Sequence, residues 1–406
     1  MASIFTSKHI LLGVTGSIAA YKAAELASRL TQEGAQVDVI LTPAAERFVA
    51  PLTYQSVTGR RALTDAELWG GEAHVLHVGL GHSADLLVIA PCTANTLARL
   101  AHGSADNLLT ITALAARCPI LLAPAMDVGM FAHPATQENV RILSERGVHF
   151  AGPGEGRMAS GLTGKGRMLE PAELLGHIRL VLGKNGKLVG KKVVVTAGGT
   201  QEAIDPVRVI TNRSSGKQGY ALAQAAIDAG AQVTLITAPT SLTAPVGARL
   251  IEVRTAGEML EAVLAESAGA EALLMAAAVA DFRPKKIAAD KLKKRDGIPQ
   301  VELEAAPDVL ETVAGLGSGE KRPGVVVGFA AESRDLMKNA SAKLSSKKLD
   351  MIVANDVSAP DSGFAVDTNR VTLLFADGRE ESLSLMSKAE VAEAIIERVA
   401  AMLEAK

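Results

Sequence analysis

His9-Ile-Leu-Leu-Gly-Val14-Thr-Gly16-Ser17-Ile-Ala-Ala-Tyr21 decides the fold. A short β-rich apolar run ends in a turn of small residues that leads straight into an amphipathic stretch, Ala19 to Leu30. Further runs follow at Val37 to Thr42, Asp85 to Ala90 and Ile120 to Pro124. Such alternation of short apolar runs with helical periodicity is the pattern of a parallel sheet with helices on both faces. At Val193 to Thr196 the scheme starts again. Gly34-Ala-Gln-Val-Asp-Val-Ile-Leu-Thr-Pro43 closely matches Gly230-Ala-Gln-Val-Thr-Leu-Ile-Thr-Ala-Pro239, each string leading from a helix end into a second strand. Glycine after a helix is common everywhere, but two αβ sandwiches explain the repeat better than one large sheet. The fold class is therefore α/β with two Rossmann-like domains. The glycine- and lysine-rich stretch from Gly183 to Lys192 separates them, with a boundary near residue 189 and domains 1–189 and 190–406. In the second half, strands are expected around Val233 to Thr237, Leu273 to Ala276, Val325 to Phe329 and Met351 to Ala354. A hairpin around Asp377-Gly378 and a helix from about Lys388 follow.

Composition narrows the classes. The 406 residues carry 42 basic and 44 acidic side chains, with 48% hydrophobic and 21% charged residues, which excludes a disordered chain, a collagen-like chain and a basic polyanion binder. Two cysteines, Cys92 and Cys118, are too few for a disulfide scaffold or a zinc ribbon, and a reducing cytoplasm is expected. The run Ile10 to Val14 behind Lys8 is too short for a signal peptide, and Ala272 to Ala280 ends at Asp281. Neither approaches the ~20 apolar residues of a membrane span.

Several motifs carry chemistry. The turn at Gly16-Ser17 offers free N–H groups to a phosphate, and Ser17 equally suits a helix cap. Without a Gly-x-Gly-x-x-Gly spacing, a mononucleotide fits the turn better than a dinucleotide. Pro91-Cys-Thr-Ala-Asn-Thr96 stands at the C-terminal end of a buried strand, where open α/β sheets bind ligands; Thr93 there also reads as a helix cap. His74, His77 and His82 cluster without the further ligands a metal needs, leaving a general base or ordinary surface histidines. Gly154 to Met168 holds five glycines, two arginines and a lysine without apolar period, as a lid does. Thr196-Ala-Gly-Gly-Thr200 and Asn212-Arg-Ser-Ser-Gly-Lys217 suit phosphates, although no P-loop is present. Asp281 stands just beyond a buried strand, placed for a metal or a nucleobase. Lys285, Lys286, Lys291, Lys293, Lys294, Arg295, Lys343, Lys347 and Lys348 form either a triphosphate's counter-charge or a solvated face.

Together these strings resemble one family, the bifunctional phosphopantothenoylcysteine decarboxylase/phosphopantothenate–cysteine ligase of coenzyme A biosynthesis. The resemblance rests in the first half on the turn at 16–21, His77, the loop at 91–96, Pro124-Ala-Met126 and Gly164-Lys-Gly-Arg-Met168. In the second half it rests on the motifs at 196–200, 205–217, 277–281, 328–332 and 347–356. It implies an N-terminal flavoprotein sandwich and a C-terminal ligase domain with a mostly parallel sheet. FMN would oxidise the thiol of a C-terminal cysteine moiety to a thioaldehyde that readily loses carbon dioxide. His77 would be the acid/base residue, and Ser17, Thr42, Thr93 and Asn95 the FMN contacts. Two positions depart from the family pattern: Asp127 replaces the usual asparagine, and Ser160 replaces the lid cysteine that helps return hydrogen to the unsaturated thiol. A hydroxyl cannot simply stand in for a thiol of pKa about 8.5. The expectation is therefore that Asp127, water or another lid group assists that reduction.

For the ligase half the resemblance implies CTP and Mg²⁺, which convert 4′-phosphopantothenate to an acyl cytidylate that cysteine then attacks. Asn212 would meet the acyl intermediate and Lys291 the phosphates. Met275, Ala276, Ala277, Asp281, Pro307, Asp308, Val309, Leu310, Phe329, Lys343 and Lys347 would surround CTP, with Asp281 also the candidate Mg²⁺ ligand. Ala306 stands where the family usually has asparagine, which weakens one contact. The family further implies a cytoplasmic homo-oligomer, a dodecamer of decarboxylase trimers with paired ligase domains, and no nucleic-acid or membrane partner. A rival reading keeps the ligase and makes the flavin half a non-catalytic regulator. A nicotinamide oxidoreductase is disfavoured by the missing dinucleotide fingerprint.

Overall fold

A computed structural model describes residues 3–69, 75–293, 298–316, 322–332, 335–356 and 366–406. His74, Lys294 and Arg295 lie outside the described residues. The chain divides into two compact units at Gly183/Lys184. That point falls six residues before the boundary read from sequence, within the same glycine- and lysine-rich stretch. The residues between belong to the second unit: the Leu188 N–H donates to the Ala229 carbonyl at 2.7 Å, and Gly186 packs so close to Ala229 that a Cβ would lie 2.3 Å from its oxygen.

The first unit is a six-stranded sheet in the order Ala62–Leu63, Gln36–Leu41, His9–Val14, Leu86–Cys92, Ile120–Pro124, His149–Phe150, with every pair parallel. Side-chain alternation explains why His9–Val14 lies at the centre. Ile10, Leu12 and Val14 enter one core cluster beside the helix Ala20–Gln32. Leu11 enters the other, beside the helices Ala94–His102 and Leu108–Ala115. The strand order reverses between His9–Val14 and Leu86–Cys92, and a crevice opens at the carboxyl ends of those two strands.

The second unit is an eight-stranded sheet in the order Arg249–Glu252, Gln232–Thr237, Lys192–Ala197, Ala272–Met275, Val325–Glu332, Met351–Asp356, Thr368–Phe375, Glu380–Ser387. Its first six strands are parallel and the last two form the expected antiparallel hairpin. The final helix, Lys388–Glu404, starts at a reciprocal cap between Ser387 and Glu390. The repeated string behaves alike in both units. Gly34 and Gly230 have φ of 95° and 88°, and the residue after each donates back across the helix end, Ala35 to Leu30 and Ala231 to Ala226, both at 3.0 Å. This is the left-handed helix stop that glycine adopts at low cost.

At the amino-terminal edge of the first sheet, away from the crevice, Asp38 accepts His9 Nε2 at 2.7 Å and Arg60 Nε and Nη2 at 2.6 and 2.9 Å. Burial alone would raise the Asp38 carboxyl, but the His9 and Arg60 hydrogen bonds outweigh it and hold the group at about 2. The bond to Asp38 in turn raises His9 above its ordinary 6.5, against burial. The depressed carboxyl stabilises above its unfolded value and loses that effect as pH falls toward 2. The raised imidazole stabilises below 6.5 and loses its effect as pH rises through its folded value. Asp38→Asn should therefore destabilise this unit by about 2 kcal/mol or more near pH 5.5, and by less at pH 9. Thermal melts at the two pH values check this, and an equal loss at both would sink the linkage.

Candidate functional site

The crevice of the first unit is a cavity of about 1160 Å³. Ser17, Thr42, Thr93, Asn95, Asp127 and Ser160, six residues drawn from five separate stretches of sequence, all line it. Thr15 locks its floor: its hydroxyl donates to the Pro91 carbonyl at 2.7 Å and accepts the Thr93 N–H at 3.2 Å, tying the two strand ends at the switch point. Thr93 both lines the cavity and caps the helix Ala94–His102 by accepting the Thr96 N–H at 3.3 Å, so capping the helix does not take it away from the crevice. Thr42 similarly accepts the Ala45 N–H at 3.3 Å. The Ser17 hydroxyl accepts from Ala19 N at 3.3 Å, just ahead of the helix Ala20–Gln32.

The glycine-rich stretch is a hairpin, Gly154–Arg157 against Thr163–Arg167, whose residues form one wall. It is pinned to the loop after Ile120–Pro124 at two points. The Met126 N–H donates to the Gly166 carbonyl at 2.9 Å, and the Ser160 hydroxyl donates to Asp127 at 2.6 Å. The Ser160 hydrogen bond, helped by the Gly129 N–H, holds the Asp127 carboxyl below its usual range. At the base of the hairpin Glu170 accepts both Lys22 at 2.8 Å and Arg167 at 2.6 Å. His77 sits half-buried on the helix Leu76–Ser83 and is not among the residues lining this cavity. Sequence reasoning missed Thr15, Lys22 and the Arg99–Asp106 ion pair as parts of this wall. None stands in a pattern that spacing would single out.

In the second unit the candidate residues fall into neighbouring groups. Lys347 bridges Asp308 at 2.8 Å and Glu311 at 2.9 Å, and Asp308 caps the helix Val309–Gly315. Burial opposes the Lys347 ammonium, yet these two carboxylates hold its pKa up. Lys343 donates to the Phe329 carbonyl at 2.9 Å. The Val309 and Leu310 side chains are buried in the core, which leaves only backbone for a ligand there. Asn212 donates to the Val279 carbonyl at 2.9 Å. Met275 accepts a weak bond from the Thr196 hydroxyl at 3.6 Å, and the same hydroxyl accepts the Ala277 N–H at 3.1 Å. Asp281 and Lys291 are exposed. The segment carrying Lys291 is tied down by buried Asp205, which accepts the Leu292 N–H at 3.1 Å and the Arg208 N–H at 2.8 Å. Ala276 and Phe329 line a cavity of about 80 Å³ with Ser214 to Gly219, Asn355, Asn369 and Lys388. Among the described residues no group of three or more His, Cys, Asp or Glu side chains is placed to hold a metal ion, and no helix is long and apolar enough to cross a membrane.

Two families match the chain in succession: Flavoprotein over residues 4–183, and DNA/pantothenate metabolism flavoprotein C-terminal domain over residues 188–403. The chain is 45% identical over 402 residues to the coenzyme A biosynthesis bifunctional protein CoaBC of Bacillus subtilis (strain 168), covering 98% of each. It is 45% identical over 394 residues to the protein of that name from Vibrio parahaemolyticus, covering 97% of this chain and 98% of that one. With the Mycobacterium tuberculosis H37Rv protein of the same name it shares 43% over 408 residues, 98% and 97% of the two chains.

Proposed function

The chain belongs to the bifunctional coenzyme A biosynthesis family, and on that premise we propose how its two units divide the work. The second unit joins 4′-phosphopantothenate to cysteine at the expense of CTP. The first decarboxylates the resulting 4′-phosphopantothenoylcysteine to 4′-phosphopantetheine with FMN. The observation that carries the reading is the single cavity at the switch point that gathers Ser17, Thr42, Thr93, Asn95 and the lid.

The residues present fit FMN. At about 1160 Å³ the cavity exceeds a typical ligand pocket of roughly 300–1,000 Å³, which leaves space for a substrate arm. Methionines 126, 130, 158 and 168 supply apolar wall, and in the turn from Gly16 to Ala19, where the Ser17 and Ala19 N–H groups are taken by Thr15 and Ser17, those of Gly16 and Ile18 are left for a phosphate. When bound, FMN supplies the two-electron oxidation of the substrate thiol that makes loss of carbon dioxide easy. Asp127, held ionised, has no proton to give near neutral pH. Its task is to accept from Ser160 and fix the lid tip, and the proton for the reduction step comes from water or another lid group. His77 lies outside the cavity of its own chain, and Ile18 and Tyr21 line that cavity while more than 60% exposed. Both features favour a site completed by a second copy, in the cytoplasmic trimer-based dodecamer with paired ligase units that the family pattern implies.

In the ligase a carboxylate must approach a phosphate already ringed by anionic oxygens. Lys291, Lys343 and Lys347 neutralise that charge, and Asp281 is the side chain that would share Mg²⁺ with the nucleotide phosphates. One carboxylate plus phosphates suits that ion.

Mass spectrometry after mixing the protein with phosphopantothenate, cysteine, CTP and Mg²⁺ tests both halves. The expected product is saturated phosphopantetheine, from a particle far heavier than the 42.1 kDa chain by light scattering. Phosphopantothenoylcysteine alone would favour the reading in which the flavin unit is a non-catalytic regulator, and a monomer would remove the shared-site argument.

A further inference from the structure

The lid hairpin has two unlike faces. Its register sets Glu155 opposite Lys165, Gly156 opposite Gly164 and Arg157 opposite Thr163. Side chains alternate sides along each strand, so Glu155, Arg157, Thr163 and Lys165 share one face and the glycines take the other. The glycine face is seated on the loop after Ile120–Pro124: a Cβ at Gly164 would lie 2.7 Å from Val128 Cγ2, and one at Gly166 2.3 Å from the Met126 oxygen. The opposite face is left free, and all four of its residues are exposed. Arg157 lines the cavity of the first unit, while Lys165 is not among the lining residues, so the two stand at the cavity's rim. They are diagonal neighbours in the ribbon, about 7–8 Å apart in such pairs, within reach of one shared anion.

The other cations that line this cavity are already paired, Lys22 and Arg167 with Glu170 and Arg99 with Asp106. Among the described residues Arg157 and Lys165 have no ion-pair or side-chain hydrogen-bond partner, although Glu155 stands directly across from Lys165. An arginine fork beside a lysine suits a phosphate ester, which accepts paired hydrogen bonds and carries up to two charges. Three anionic groups enter the reaction read above. The FMN phosphate has the Gly16 turn. The cysteine carboxylate leaves as neutral carbon dioxide, and the electron pair of the broken bond passes toward the sulfur-bearing carbon. A cation held on that carboxylate would stabilise the substrate more than the transition state and slow the step. The 4′-phosphate, at the opposite end of the substrate from the cysteine, is the anion that remains. Resting on the decarboxylase reading above, we propose that Arg157 and Lys165 are specificity-determining residues that hold this phosphate at the cavity's rim, so that the flavin unit selects the phosphorylated substrate over its unphosphorylated form.

Carbon dioxide release from supplied phosphopantothenoylcysteine and from pantothenoylcysteine tests this. Arg157→Gln and Lys165→Gln should each raise KM for the phosphorylated substrate about 10-fold, as loss of a hydrogen bond to a charged group does, with kcat and the KM for pantothenoylcysteine within about twofold. The double variant should no longer distinguish the two substrates. Glu155→Gln removes the carboxylate of the same face and should lower KM for the phosphorylated substrate about twofold, the modest effect of an exposed charge; a damaged lid would not produce that change of sign. KM values that rise equally for both substrates overturn the inference, as does an unchanged preference in the double variant. A wild-type protein that releases carbon dioxide from neither substrate overturns the decarboxylase reading itself, a result distinct from an active decarboxylase indifferent to Arg157 and Lys165.

Discussion

Gly166→Ala should lower decarboxylation by about 100-fold or more and leave ligation unchanged. A Cβ at this position would lie 2.3 Å from the Met126 carbonyl oxygen and 3.0 Å from Met158 Sδ. The methionine side chain can turn away, but the carbonyl belongs to the loop whose neighbouring N–H holds the lid through Gly166 itself, at 2.9 Å. Relieving the clash means moving the lid strand outward by about 1 Å, a displacement that costs on the order of 100-fold where positioning matters. The same movement stretches the bond from Ser160 to Asp127 that fixes the lid tip. Gly161→Ala is the control. Gly161 has a φ of +86° and nothing within 4 Å of an added Cβ, so it meets only the backbone preference of about 1 kcal/mol and should lose less than tenfold. Carbon dioxide release from supplied phosphopantothenoylcysteine reads the effect, and pyrophosphate release reads the other half. A Gly166→Ala protein that decarboxylates within a few-fold of wild type would show that the lid's seat on Met126 is not needed.

The sheet was legible because its signal is local and dense. Alternate residues of His9–Val14 feed opposite core clusters, so a six-residue run already states that it is buried on both faces. The glycine stops at Gly34 and Gly230 repeat because the same chain reversal is needed twice. The short ribbons Gln201–Ala203 with Val209–Thr211, and Phe282–Pro284 with Leu303–Ala305, escaped because they pair at the surface, where no apolar period is required. The same limit governs the sites. The turn at Gly16 and the loop at Thr93 announce themselves as small or polar residues directly after buried strands. Thr15 and Lys22 become meaningful only through partners at Pro91 and Glu170, far along the chain. The side-chain amides of Asn355, Asn369 and Gln218 donate one to the next and finally to the Lys388 carbonyl, at 3.3, 3.1 and 3.2 Å, and no spacing rule joins those positions before the fold does.

Asn212→Asp is the reciprocal experiment, with ligation falling about 1,000-fold and decarboxylation of supplied phosphopantothenoylcysteine unchanged. Asn212 Nδ2 donates to the Val279 carbonyl at 2.9 Å, in a loop otherwise zipped to the turn after Lys192–Ala197. There Ala278 donates to the Gly198 carbonyl at 2.8 Å and Ala280 donates to the Thr200 hydroxyl at 2.9 Å. A carboxylate at 212 has no N–H for Val279, which forfeits about 1 kcal/mol. If Asn212 meets the acyl intermediate as proposed, the carboxylate also sets a negative charge beside the forming acyl phosphate; two like charges about 4 Å apart near a protein surface repel by about 4 kcal/mol at an effective dielectric of about 20. The two effects sum to about 5 kcal/mol, and since each 1.4 kcal/mol is tenfold, about 1,000-fold is the lower side of the expectation. Asn212→Ala separates them, because it removes the hydrogen bond without adding charge and should lose only about tenfold. An aspartate variant no worse than the alanine variant would place the phosphate away from residue 212. If each of Gly166→Ala and Asn212→Asp silences one activity and spares the other, the two reactions belong to separate sites on one chain; if either silences both, the division of labour between the units is wrong.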